Sequence, residues 1–119
     1  MLVVNFIVKA SLNMVDFNKI DAAIELIASK FNPDKIILFG SYASGFPHED
    51  SDVDLIVVQD SDQPIQSRGF EIRMALLGTR IPIDLMVFTN SEFEKECGNS
   101  TSFLNSAMKN AKVMYERAD

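Results

Sequence analysis

The run Lys35-Ile36-Ile37-Leu38-Phe39 stops at Gly40-Ser41, and a second apolar run, Val53 to Val58, opens with carboxylates at Asp52 and Asp54. Short stretches this continuously apolar read as strands covered on both faces, which commits the chain to a sheet with layers on either side. Side chains two apart on a strand share a face, so Asp52 and Asp54 point the same way. Neighbouring carboxylates repel and raise each other's pKa unless a cation stands between them. Hard divalent ions such as Mg²⁺ take oxygen ligands of this kind and share them with substrate phosphates.

Other elements follow from period and punctuation. Ile20, Ile24, Ile27 and Phe31 recur at helical spacing, predicting a helix over 18–31 with Asn18 as its cap, Asp21 in its first turn and Asn32-Pro33 as its stop. A short helix begins at Ser41, and a loop through Phe46, Pro47, His48, Glu49 and Asp50 leads into a strand over 53–59. A helix over 66–77 is expected to turn Phe70, Met74 and Leu77 inward and to end at Gly78. Ile81 to Phe88 reads as a third strand, and Ser91 with Glu94 as a capping box for the next helix. A last helix over 102–110 carries Phe103, Leu104, Ala107 and Met108, and Lys112 to Tyr115 adds an edge strand. This order gives an α/β (α+β) fold, a small mixed β-sheet flanked by helices, in one domain over residues 18–116. Residues 1–17 read as an N-terminal extension or extra strand, or as a leader ahead of a start at Met14.

Composition narrows the function. Eleven basic and seventeen acidic residues leave a net charge of −6, which suits a long nucleic acid poorly because grip on its backbone comes from Lys and Arg. The apolar stretch Leu2 to Val8 is short, has no basic residue ahead of it and is followed by Lys9, so neither a signal peptide nor a membrane span is expected. Cys97 is the single cysteine, so the chain forms no internal disulfide and a reducing cytoplasm is expected. His48, the single histidine, reads as a solvated loop side chain, and the six methionines, including Met74, Met86, Met108 and Met114, as core filling.

Asp84 interrupts an apolar run, where an unpaired buried charge would cost several kcal/mol. A salt bridge to Arg68, Arg73 or Arg80 would explain it, as would an exposed strand end, or a metal shared with Asp52 and Asp54. Three carboxylates converging from two strands can hold two ions ~3.5–4 Å apart, clamping the attacking and leaving oxygens of a phosphoryl transfer. The Gly40-Ser41 turn adds a place for phosphate, since glycine lets the backbone approach an anion and Ser41 contributes a hydroxyl.

Gly40-Ser41-x3-Gly45, then Ser51-Asp52-x-Asp54-Leu55, then the lone Asp84, resemble the nucleotidyltransferase superfamily of DNA polymerase beta. Small size and the closing segment around Phe103-Leu104 and Ala111 to Glu116 resemble its minimal (MNT) branch, with the likeness spanning residues 18–116. The resemblance implies Asp52 and Asp54 as ligands of two Mg²⁺ ions, and Asp84 on the metal that activates the acceptor hydroxyl. It implies that Gly40, Ser41, Gly45 and Ser51 hold the phosphates of a nucleoside triphosphate, with ATP the expected substrate and pyrophosphate released. Minimal members are similar to one half of a two-protein pair whose partner is a helical HEPN protein. There the nucleotidyltransferase acts as antitoxin, by adding AMP to the partner or, as a non-catalytic binding module, by occupying it. Acceptor specificity would then come from that partner or from a second subunit, as in a homo-oligomer. This chain departs from the branch at Ser44, where many minimal members carry an arginine.

Overall fold

The computed structural model describes residues 14–118, so the N-terminal stretch 1–13 lies outside the described residues. Helix α1 (Phe17–Phe31) is followed by strand β1 (Lys35–Phe39), a one-turn helix α2 (Gly40–Ser44) and strand β2 (Val53–Val58). A 3₁₀ turn (Ile65–Ser67), helix α3 (Phe70–Leu76) and a second 3₁₀ turn (Leu77–Thr79) lead to strand β3 (Ile83–Phe88). Helices α4 (Asn90–Cys97) and α5 (Phe103–Met108) precede strand β4 (Lys112–Glu116).

The strands form one mixed sheet in the order β3-β2-β1-β4. β1 runs antiparallel to both neighbours, whereas β2 and β3, joined across α3, run parallel. Alternation sorts the strands onto two cores. Ile36, Leu38, Val53, Leu55, Val57, Leu85 and Val87 pack with Ile20, Ile24 and Ile27 of α1 and Ile72 and Leu76 of α3. Ile37, Phe39, Ile56, Val58 and Phe88 pack with Leu104 of α5 and, at the margin, with Phe93 and Cys97 of α4. Central strands with helices on both sides have no face left for polar residues, which accounts for the continuous apolarity of β1 and β2.

Local expectations are corrected in four places. Asp16 rather than Asn18 caps α1: its carboxylate accepts the Asn18 N–H at 2.8 Å, and no acidic residue lies in the first turn. In α3 the buried pair is Ile72 and Leu76, whereas Phe70, Met74 and Leu77 are 65%, 51% and 66% exposed. Met74 is therefore not core filling. Gly78 sits inside the second 3₁₀ turn, and Arg80, at φ 58°, takes the left-handed position that ends it. The capping box of α4 is Thr89 with Glu92, each side chain answering the other's backbone N–H, instead of Ser91 with Glu94.

Candidate functional site

The site is built where β1 ends and β2 and β3 begin. Asp54 and Asp84 are register partners of the parallel pair β2/β3, so their carboxylates emerge side by side from the same face. Asp54 is also the partner of Phe39, the last residue of β1. Asp52 lies one residue ahead of β2, exposed, with Asp54 half-buried and Asp84 exposed at the strand's start. Burial raises the Asp54 pKa above the ordinary carboxylate value, and repulsion from Asp84 and then Asp52 raises it further. The three acids thus share one electrostatic neighbourhood. Among the described residues none of them forms an ion pair, because the two ion pairs there join other residues.

Of the three arginines that could have neutralised Asp84, none pairs with it, and two are engaged elsewhere. Arg68 pairs with Glu92 at 2.5 Å and donates to the Gln63 carbonyl, at the far end of the sheet. Arg73 donates to the carbonyls of Arg68 and Leu85 and so ties α3 to β3. Arg80 is exposed on the segment entering β3. A cavity of about 220 Å³ lined by Gln59, Asp60, Arg68 and Gly69 also lies at that far end, away from the three acids.

Gly40 joins the acidic floor to the turn. It holds φ +74°, and a Cβ placed on it would stand 2.1 Å from the Asp54 Oδ2 atom. Glycine is required twice over, by the left-handed backbone and by a carboxylate in the space any side chain would need. Ser41, half-buried, follows in α2, and Gly45, at φ 89°, closes that turn with its N–H on the Ser41 carbonyl. Tyr42 anchors α2: its buried hydroxyl accepts the Val15 N–H at 2.9 Å, and Phe17 stands edge-on to its ring. Ser51 is buried and its hydroxyl accepts the His48 N–H at 3.0 Å, so this residue braces the loop that delivers Asp52.

Sequence reasoning missed the wall of the site. Beside Gly40 lies a cavity of about 360 Å³ whose lining includes Phe39, Ser44, Phe103, Ser106 and Asn110. Phe103, read from the sequence only as part of the last helix, is 56% exposed at this wall. No signal within α5 separates it from Leu104, which is buried.

Clustered carboxylate oxygens without a protein cation suit a hard divalent ion. Among the described residues no three acidic, histidine or cysteine side chains stand close enough to enclose such an ion alone. Mg²⁺ does not require that, since it keeps part of its water shell and takes further oxygens from a substrate phosphate.

A four-stranded mixed sheet, an acidic pair on adjacent parallel strands and a glycine turn against it define the class. The nucleotidyltransferase domain family matches residues 20–114, and the chain belongs to that family; it is a transferase domain. The fold resembles a candidate nucleotidyltransferase from Sulfolobus solfataricus, at 18% identity over 92% of this chain and 86% of that one, with a TM-score of 0.62. It also resembles a toxin–antitoxin structure with AMP-PNP (23% identity, 87% and 75% coverage, TM-score 0.58). A third likeness is to a mutant MntA–HpeT toxin–antitoxin (20% identity, 87% and 75% coverage, TM-score 0.55). No curated protein matches the sequence. Among the described residues no helix is long and apolar enough to cross a membrane.

Proposed function

We propose that the domain transfers AMP from ATP to a hydroxyl of a partner protein, with Mg²⁺, as the antitoxin of a pair whose toxin is a helical HEPN-type protein. The observation that carries this reading is the pairing of Asp54 with Asp84 on one face, unneutralised by any arginine and pressed against Gly40. Toxin–antitoxin neighbours, one of them with AMP-PNP, support the antitoxin and nucleotide parts.

In this reading Asp52, Asp54 and Asp84 hold the metal, and Gly40, Ser41 and Gly45 receive the β- and γ-phosphates, with Ser51 bracing the loop between. When bound, Mg²⁺ neutralises charge on the triphosphate and lowers the pKa of a bound hydroxyl. Asp84, the more exposed partner of the Asp54–Asp84 pair, faces the acceptor side and accepts the proton of the attacking hydroxyl. The acceptor oxygen forms a bond to the α-phosphorus as the bond to the bridging oxygen breaks, and pyrophosphate leaves. Positioning and electrostatic stabilisation supply the rate. The single thiol, Cys97, fits a reducing cytoplasm, and acceptor choice falls to the partner or to a second copy of the chain.

A second reading is that the domain neutralises its partner by binding alone. Ser44 favours it: the position that carries arginine in many minimal members is an exposed serine whose hydroxyl donates to the Ser41 carbonyl, and Arg68 and Arg73 are engaged elsewhere. Incubation with ATP labelled at the α-phosphate, Mg²⁺ and the product of the neighbouring gene separates the two. The transferase reading expects label on the partner and none with Asp54→Ala. Rescue of cells by Asp54→Ala, with no label transferred by the wild type, would establish the binding reading instead.

A further inference from the structure

Gly40 faces two surfaces at once. One is the acidic floor, where the Asp54 carboxylate fills the space beside its Cα. The other is the cavity of about 360 Å³ running from Phe39 and Ser44 to α5. A ligand whose phosphates rest on the Gly40 turn has this cavity as its immediate neighbour.

The chemistry of the wall is that of a base site. Phe103 is 56% exposed, yet its ring is held edge-to-face on Phe39, with centroids 5.7 Å apart and planes at 81°. That contact restrains a ring that also lines the cavity, and an exposed aromatic so held can serve as a stacking platform for a nucleobase. Asn110 lines the same cavity, is exposed, and its carboxamide makes no hydrogen bond among the described residues. One carboxamide offers a donor and an acceptor together, the pattern that reads the N6 and N7 edge of adenine. Ser106 adds a hydroxyl. Neither lysine nor arginine lines the cavity, so it suits the uncharged end of a nucleotide and not its phosphates.

We infer that this cavity is the base and ribose subsite of the nucleotide, with Phe103 stacking on the base and Asn110 selecting adenine. The inference rests on the nucleotide reading above and names the residues that distinguish ATP from a bare polyphosphate. It assigns α5, otherwise a packing helix, to substrate specificity.

The test is equilibrium binding by calorimetry of Mg²⁺ with ATP, GTP and inorganic tripolyphosphate to the full chain. Phe103→Ala is expected to weaken ATP about tenfold or more while leaving tripolyphosphate unchanged, and Phe103→Trp to restore ATP binding. Asn110→Ala is expected to bring ATP and GTP to similar affinities. Because Phe103 is half in solvent, its removal leaves the core in place, and an unchanged melting temperature verifies this. Unaltered ATP affinity in Phe103→Ala, or an equal loss for ATP and tripolyphosphate, would overturn the subsite and leave the transferase site standing. Failure of the wild type to bind either ligand would overturn both.

Discussion

The Asp54 carboxylate occupies the space in which a side chain on Gly40 would begin, the two being so close that an added Cβ would come within 2.1 Å of Oδ2. This contact makes the turn after β1 and the acids at the start of β2 and β3 one unit, with β1 and β2 paired in register to the last residue, Phe39 against Asp54.

Gly40→Ala tests that unit. Alanine would have to push the Asp54 carboxylate aside and hold φ +74°, a conformation that costs non-glycine residues about 1–2 kcal/mol. Thermal melts should show a loss of that order, and pyrophosphate release should fall at least tenfold, because a displacement of about 1 Å in a reacting group can cost ~10² in rate.

Asp54→Asn should stabilise the free protein at neutral pH. Burial, then Asp84, then Asp52 raise the folded-state pKa of Asp54, so the folded state holds this proton more tightly than the unfolded one. The contribution favours folding at low pH and is lost as pH rises through the folded pKa, which leaves the ionised group a liability at neutrality. Melting temperatures of wild type and variant, recorded without metal, should differ by a few degrees at neutral pH and converge as the pH falls below the ordinary carboxylate range. A lower Tm for the variant at neutral pH would contradict this.

Glu92 carries the opposite sign. Its pKa is lowered, first by its hydrogen bond from Arg68 and next by the Thr89 N–H, so its contribution is present above the unfolded carboxylate pKa and lost as pH falls through the folded value. Glu92→Gln should cost about 1 kcal/mol at neutral pH, a modest figure because its side chain is 37% exposed. Nucleotide binding should not change, since this pair lies at the far end of the sheet.

Within α3, Leu76→Ala should cost about 2–4 kcal/mol and Met74→Ala less than about 0.5 kcal/mol, measured by urea denaturation. The contrast decides which stripe of the helix faces the core.

That stripe shows why part of the fold was legible in the residues and part was not. β1 and β2 are continuous apolar runs and could be little else in a chain of this size. Along α3 and into the 3₁₀ turn that follows it, Phe70, Met74 and Leu77 and the pair Ile72 and Leu76 both keep helical spacing, and only the sheet beneath decides between them. Thr89 with Glu92 and Ser91 with Glu94 are equally good capping pairs on paper. The tie is broken by Arg68, distant in sequence, which donates to the same Glu92 oxygen that receives the Thr89 N–H. Asp52, Asp54 and Asp84 were legible as a group because acids on apolar strands demand an explanation, and the structure places Asp54 and Asp84 as neighbours. Phe103 and Asn110 were not, since an aromatic on a short helix and an asparagine in the turn after it carry no mark until the cavity beside Gly40 is seen.

The most direct test of the acidic site uses Mn²⁺ as a paramagnetic stand-in for Mg²⁺, titrated into the protein with a non-hydrolysable ATP analogue and followed by electron paramagnetic resonance. The wild type should bind the ion in a nucleotide-dependent manner, with the affinity reduced at least about tenfold in Asp54→Asn and in Asp84→Asn. Binding that survives in both variants at wild-type strength would show that these carboxylates do not hold the metal, and the proposed chemistry would fall with them.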